Sequence, residues 1–343
     1  MEKCDVAIIG GGIAGLSAGK FLAERGVSFI LLEEHREFFK KACGEGIIRN
    51  TVGYEFHDLY GSKRGIEREI WETIIHTKYG ELSIEMPVLM TSKREVEAEL
   101  ARQAAAQGEI RMGERVEKIV DGVLLPQEIK PKIIIGADGC FSLVRRYMGE
   151  RQVRCGIAAE AYATEVDMDP DRCHVVLKNE VVRYGYAWYF PKREVWNIGI
   201  GCSKKRTFRE TFSRFREKSK GEGWRGAPVP IDKPGRSYRK NAILVGDAAA
   251  HVVANVGEGI MPSMIGAYIA AEVIERLARK DFREVDLSPY ERGWKNTFGK
   301  YLRRTYYTSR IFYDVIKSEY VRHKLLAKMC RDTTEYYRKI LKR

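Results

Sequence analysis

Residues 5–34 read DVAIIGGGIAGLSAGKFLAERGVSFILLEE, and this stretch decides the fold. Val6 to Ile9 is a short apolar run bounded by glycine, as in a fully buried strand. Gly10, Gly12 and Gly15 give G-x-G-x-x-G at the strand's end, and Leu16, Phe21 and Leu22 begin a helical face that ends near Gly26. Val27 to Leu32 is a second apolar strand, closed by Glu33, so a complete β-α-β unit is expected. In such a unit the first glycine allows the tight turn, the second lets the main chain approach a pyrophosphate, and the third lets helix and strand pack closely. The helix amides and dipole then face the phosphates. Glu33 lies about 20 residues on, where a carboxylate accepts from ribose hydroxyls. The motif alone does not separate NAD from FAD, and a glycine-rich turn that binds nothing is the simpler alternative.

At 343 residues the chain can build about two domains with real cores. Its 44% hydrophobic and 31% charged residues describe a soluble globular protein. No stretch reads as a signal peptide or approaches the ~20 apolar residues that span a bilayer. Seven cysteines, odd in number, scattered and without C-x-x-C, point to a reducing cytosol and away from a disulfide framework or zinc site. The formal charge of +13 suits a nucleic acid, an anionic membrane surface or a lysine-rich solvated surface. No nucleic-acid motif is present, so no nucleic-acid partner is expected. The charge thickens toward the carboxyl terminus, where Arg303, Arg310, Lys317, Lys324, Lys328, Arg338, Lys339, Lys342 and Arg343 alternate with Tyr307, Ile311, Phe312, Tyr320 and Leu325. Helices of this pattern either lie at a membrane interface or present a solvated face while packed on the body.

Three further clusters stand out. Cys43-Gly44-Glu45-Gly46 is a loop whose cysteine is either a reactive thiol or an idle one. Lys132 to Ile135 is an apolar strand that runs into Gly136-Ala137-Asp138-Gly139, with Ser142, Val144, Arg145 and Arg146 beyond. That order puts a carboxylate at the carboxyl end of a strand, where open α/β sheets bind ligands, unless Asp-Gly is a plain turn. Ala242 to Val245 delivers Gly246-Asp247-Ala248-Ala249, and Gly257-Glu258-Gly259-Ile260 opens a helix through Ala267, Ala270 and Ile274. Its amino terminus suits negative charge, such as that of a reduced flavin. His251, between these turns, is a proton-donor candidate or an ordinary loop histidine.

The remaining segments read as follows. Ile74-Ile75 and Leu82 to Ile84 are strand patches that end near Pro87, and a helix begins at Lys93. Cys155 to Asp167 and Cys173 to Leu177 are strands. Tyr184 to Lys192 and Trp196 to Gly201 form an aromatic hairpin. Four aromatics within seven residues exceed what one buried strand face needs, so Tyr186, Trp188 and Phe190 are expected to border a large apolar cavity. Thr207 to Lys218 is a helix, and Gly221 to Gly235 a glycine- and proline-bearing link.

GGGIAG, GADG and GDAAA with GEGI, in this order, resemble the FAD-dependent fold shared with p-hydroxybenzoate hydroxylase. CGEG, Y-x-W-x-F-P with G-x-G behind it, and GDAA with GEGI resemble the geranylgeranyl reductase family. The resemblance covers most of residues 1 to 275. It implies an α/β protein with a Rossmann-type FAD-binding domain (residues 1–50, 91–150 and 236–280). An interleaved antiparallel-sheet substrate domain (51–90 and 151–235) and a basic helical region (281–343) complete the chain. It further implies that Gly10, Gly12, Ala14 and Gly15 hold the FAD diphosphate and Glu33 the adenosine ribose. Lys93 or Arg94, Val116 and Asp138 are implied cofactor contacts, and Asp247 is placed near the ribityl chain or pyrophosphate. Gly259 and Ile260 go against the isoalloxazine. Cys43, Gly44 and Gly46 fall beside the ring, with Cys43 taking part in reduction, and Tyr186, Trp188 and Phe190 line a prenyl tunnel. Two departures stand out: Arg183 and Ala254 occupy positions where relatives carry proline.

The function so implied is hydrogenation of isolated carbon-carbon double bonds in a polyprenyl lipid, in the cytoplasm or at a membrane surface. A single dinucleotide fingerprint leaves electrons to arrive from NAD(P)H at a transient site or from a ferredoxin-like protein. The alternatives are a flavin monooxygenase and a non-catalytic flavin- or membrane-binding module.

Overall fold

The computed structural model describes residues 1–341; Lys342 and Arg343, part of the basic set above, lie outside the described residues. Two sheets of eight strands organise the chain. Along the first run Tyr238–Arg239, Ala242–Leu244, Ile129–Gly136, Glu2–Ile9, Phe29–Glu33 and Gly108–Met112, with Val123–Leu125 and Lys118–Val120 branching from it. All the path's pairings are parallel except that of Tyr238–Arg239. Parallel strands are covered on both faces and read as continuous apolar runs. Val6, Ala7 and Ile8 are accordingly fully buried.

On one face lie the helices Ile13–Ala23, Lys93–Ala104 and Ile260–Ala278, whose Leu16, Leu100 and Met264 pack with Val6, Ile8 and Ile133. Full burial of a side chain such as Leu16 contributes about 1.5–3 kcal/mol. The register then sets the site: Ile9 stands opposite both Leu32 and Gly136, and Gly136 opposite Leu244. Three strands therefore finish level, and the glycine turns after Ile9, Ile135 and Val245 open into one crevice.

The second sheet runs Glu222–Pro230, Cys155–Ala163, Trp196–Cys202, Gly185–Pro191, Cys173–Leu177, Ile66–Thr77, Gly80–Thr91 and Gly46–Ile48. Three sequence expectations are corrected here. Residues 221–235 are no link, because Glu222–Pro230 is a nine-residue strand paired with Cys155–Ala163. It is an edge strand, where prolines are tolerated because one row of N–H groups is unpaired. The strand expected to stop near Pro87 continues to Thr91, with Pro87 at a register shift that leaves it without a partner on Ile66–Thr77, while its carbonyl accepts from Arg49 N at 3.0 Å. The strand from Cys155 stops at Ala163, short of Asp167.

The carboxy-terminal helix Glu319–Leu341 lies against the strand Gly80–Thr91. Glu85 N donates to Thr334 Oγ1 at 3.0 Å, Arg338 pairs with Glu85, and Tyr337 OH donates to Asn50 O at 2.6 Å. Its other side leaves Tyr320, Val321, Leu325, Met329 and Tyr336 exposed among Lys324 and Lys328. Among the described residues, no helix is long and apolar enough to cross a membrane.

Candidate active site

The glycine turn is shaped by what its neighbours leave free. Gly10 has φ +106°, and a Cβ there would stand 2.4 Å from Ala137 O. A Cβ on Gly15 would stand 1.9 Å from Gly10 O, so helix and strand touch through backbone alone. At Gly12 a Cβ would meet nothing within 4 Å. Gly12 caps the helix Ile13–Ala23 without a side-chain bond, so open space lies before a helix amino terminus. Glu33 braces the turn: one oxygen accepts from Gly11 N at 2.5 Å, the other from His35 N at 2.9 Å.

Asp138 Oδ2 accepts from Leu143 N at 2.6 Å and Val144 N at 3.1 Å, while its Oδ1 is buried with no partner. Burial pushes this carboxyl above its usual range despite the Ser142 hydroxyl and the backbone donors. Arg145, buried, donates to Ala248 O at 2.6 Å and ties the second glycine turn to the third. Asp247 pairs with Lys41 and receives a weak bond from Cys140 Sγ at 3.7 Å.

Tyr186, Trp188 and Phe190 alternate onto one face of their strand, with ring centroids 6.1 and 6.4 Å apart, whereas Tyr189 packs with Phe215 on the other face. The Cys43-Gly44-Glu45-Gly46 loop lies on that aromatic face. A Cβ on Gly44 would stand 3.3 Å from Trp188 Nε1, and one on Gly46 3.3 Å from Phe190. Burial raises the Cys43 thiol, opposed by Lys93, and Sγ accepts from Glu45 N at 3.4 Å.

One cavity of about 1510 Å³ joins these parts, larger than the ~300–1,000 Å³ of common ligand sites. Gly10, Gly12, Ala14, Glu33, Val116, Asp138, Asp247, Gly259 and Ile260 line one end. Cys43, Gly44, Gly46, Lys93, Tyr186, Trp188 and Phe190 also line it, and Leu326 and Cys330 of the carboxy-terminal helix contribute apolar wall. Gly15 lies behind the turn, outside the lining.

Residues 3–184 match the FAD binding domain family. The chain belongs to that family. Residues 155–226 match the geranylgeranyl reductase catalytic domain. Similar proteins include two named digeranylgeranylglycerophospholipid reductase. That of Methanocaldococcus jannaschii is 28% identical over 339 residues, covering 87% of this chain and 84% of its own. That of Methanosarcina acetivorans is 29% identical over 341 residues, covering 86% and 81%. A geranylgeranyl bacteriochlorophyll reductase-like protein from Thermoplasma acidophilum shares the fold at TM-score 0.79 and 21% identity, covering 98% of this chain and 92% of that one. The p-nitrophenol 4-monooxygenase of Pseudomonas putida shares it at TM-score 0.75 and 16% identity, covering 99% and 97%. The chain is thus an FAD-dependent oxidoreductase of the geranylgeranyl reductase type.

The residues fit FAD. The uncapped helix end and open space at Gly12 suit a diphosphate. The partnerless buried oxygens Asp138 Oδ1 and Glu258 Oε2 border the same cavity, as unmatched polar groups at a ligand's edge do.

Two candidates fall elsewhere. Arg94 is exposed and away from the cavity, because the helix phase that turns Lys93 inward turns its successor out. Lys93 Nζ meets Glu97 at 2.5 Å, above the Phe39 ring. His251 is fully buried against Trp294 and Phe298, with ring centroids at 4.8 and 5.0 Å, and lies outside the cavity. Burial lowers its pKa to about 3, so it stays neutral and holds no proton for a substrate.

Sequence reasoning missed a buried polar group behind the CGEG loop. Glu45 Oε2 accepts from Tyr162 OH at 2.6 Å, Lys192 Nζ at 2.7 Å and Asn197 Nδ2 at 3.3 Å, and Oε1 from Lys93 N at 2.8 Å. Glu160 and Glu258, both lining the cavity, have carboxyls pushed up to about 7 by burial. The available signal was a lone charge amid apolar or glycine neighbours, Glu160 within Cys155–Ala163 and Glu258 between Gly257 and Gly259.

Proposed function

We propose that this oxidoreductase hydrogenates isolated double bonds of geranylgeranyl chains carried by an archaeal-type membrane lipid or its precursor. The observation that carries the reading is the single cavity running from the dinucleotide turn to the aromatic strand and the apolar carboxy-terminal helix. The names of the similar reductases point to the same substrate class.

In this reading Gly10, Gly12 and Ala14 hold the FAD diphosphate, while Gly15 behind the turn lets helix and strand close up; Glu33 holds the ribose, and Asp247 lies near the ribityl chain or pyrophosphate. Lys93, Val116 and Asp138 flank the cofactor, Gly259 and Ile260 lie against its ring, and Cys43, Gly44 and Gly46 close over it. Bound and reduced, FAD supplies a hydride. Tyr186, Trp188 and Phe190 hold the prenyl chain and exclude water. An unactivated alkene has no carbonyl to polarise, so alignment is the main contribution these residues make. Electrons come from NAD(P)H at a transient site or from a ferredoxin-like protein. The protein works from the cytoplasm at the membrane surface, with Lys324 and Lys328 toward anionic headgroups and the neighbouring Val321 and Leu325 in the interface.

The test is anaerobic. Flavin-loaded protein is reduced with dithionite and mixed with a geranylgeranyl lipid while the flavin spectrum is followed. Return of the oxidised spectrum without air supports the reading. Reoxidation only on admitting oxygen, with oxygen incorporated into an added substrate, replaces it with an oxygenase.

A further inference from the structure

We propose that Glu160 is the acid that gives the alkene its proton, held in position by Asn197 and Glu45. The proposal rests on the reductase reading above and names the proton donor that reading lacks.

The sheet register places the group. Arg225, Glu160, Gly199 and Trp188 stand side by side on four adjacent strands. Residues opposite each other on neighbouring strands share a face and lie about 5 Å apart. Gly199 contributes no side chain, and the indole lies over it: a Cβ there would stand 2.1 Å from Trp188 Cζ2. The carboxyl of Glu160 and the indole are thus neighbours across an empty position, and both line the cavity with Cys43.

Glu160 is 1% exposed. Its Oε1 is ion-paired with the Arg225 guanidinium at 2.5 Å, a contact that favours the carboxylate. Its Oε2 lies 3.5 Å from Asn197 Nδ2, the amide that also approaches Glu45 at 3.3 Å and donates to Cys43 O at 3.0 Å. Two buried carboxyls share one amide. Glu45 keeps the better partners, Lys192 and Tyr162. The groups facing Glu160 are Arg225 from the edge strand, Glu45 and Cys43 from the loop, Lys192 from the end of the aromatic strand, and Tyr162 from its own strand. Burial is the largest influence and raises the Glu160 carboxyl to about 7; Arg225 opposes it and Glu45 adds to it. An acid in that range is protonated in a useful fraction at neutral pH and regains its proton readily.

The step balances. One alkene carbon receives the hydride and its electron pair, the π bond breaks, and the other carbon forms its new C–H bond as the Glu160 O–H bond breaks. Glu160 is left as a carboxylate beside Arg225. A proton from solvent then restores the acid. Glu258 is the competing acid in the cavity, but its Oε1 accepts from Met261 N at 2.8 Å, so it serves the start of the helix Ile260–Ala278.

The experiment compares flavin-loaded wild type, E160Q and E160D. For E160Q we expect unchanged flavin binding and anaerobic reduction, with alkene turnover lowered about 100-fold or more, as for loss of a general acid. E160D retains part of the turnover with a displaced pH profile. Infrared difference titration without substrate shows protonated-carboxyl absorbance from Glu160 and Glu258 that disappears near pH 7 in wild type, and about half of it is missing from E160Q. Turnover of E160Q within threefold of wild type overturns the assignment, as does an unaltered band. Equal loss of flavin binding in E160Q and E160D overturns it in favour of a structural role. A wild type that saturates no prenyl chain overturns the reductase reading and the donor with it; an active wild type with an unaffected E160Q overturns the donor alone.

Discussion

The indole of Trp188 is fastened to Asn197 by a buried hydrogen bond, Nε1–H to Oδ1 at 2.8 Å. The two are diagonal neighbours on the aromatic hairpin, since Trp188 stands opposite Gly199. The same amide donates to Cys43 O, so one side chain fixes both the aromatic wall and the loop above it. Asn197→Ala leaves the indole N–H and that carbonyl unsatisfied in a dry site, at a cost of about 1–3 kcal/mol. Urea unfolding followed by circular dichroism measures it, and a loss below about 0.5 kcal/mol contradicts this account.

Gly12→Ala and Gly15→Ala should part company. At Gly12 the new methyl enters open space, so unfolding stability stays within about 0.5 kcal/mol, while FAD affinity, read by flavin fluorescence, falls about tenfold or more as the diphosphate is pushed away. At Gly15 the methyl meets the Gly10 carbonyl, and the fold itself is lost or weakened by several kcal/mol. Equal effects on affinity and stability in both variants would refute this division.

Stability should fall as pH rises through the neutral range. The folded chain holds the Glu258 proton up to about pH 7, whereas the unfolded chain releases it near 4.5. Between those values the native state binds more protons, so this contribution is complete below 4.5 and gone above 7. The shift corresponds to a loss of about 3 kcal/mol. Glu258→Gln abolishes that part of the slope in denaturation at pH 5 and pH 8; an unchanged slope shows that Glu258 titrates normally.

Membrane contact through the carboxy-terminal helix predicts binding to vesicles containing anionic lipid that weakens with salt. Each exposed lysine near such a surface contributes about 1 kcal/mol. Lys324→Gln with Lys328→Gln should weaken co-sedimentation about 30-fold. Equal pelleting of wild type and variant removes the proposed orientation.

What the sequence discloses follows the range of the interactions. The β-α-β unit is legible because strand, turn and helix are contiguous, and each glycine between Gly10 and Gly15 answers a local demand. Tyr186, Trp188 and Phe190 are legible as a set because a strand's alternation puts them on one face. The strand Glu222–Pro230 is hidden by its glycines and prolines, which only an edge position excuses. Choosing Lys93 over Arg94 depends on helix phase against the sheet. The network of Glu45, Glu160 and Asn197 depends on strand order, which brings together residues up to 152 positions apart. The carboxy-terminal helix as cavity wall depends on docking across a still longer span, Arg338 to Glu85.

The central claim is that one cavity brings a reduced flavin to a prenyl double bond. Its most direct test is the mass of a digeranylgeranyl glycerophospholipid after anaerobic incubation with the reduced, flavin-loaded protein. The account predicts lipid heavier by two hydrogens for every bond saturated. Lipid of unchanged mass, recovered beside flavin that stays reduced, would contradict it.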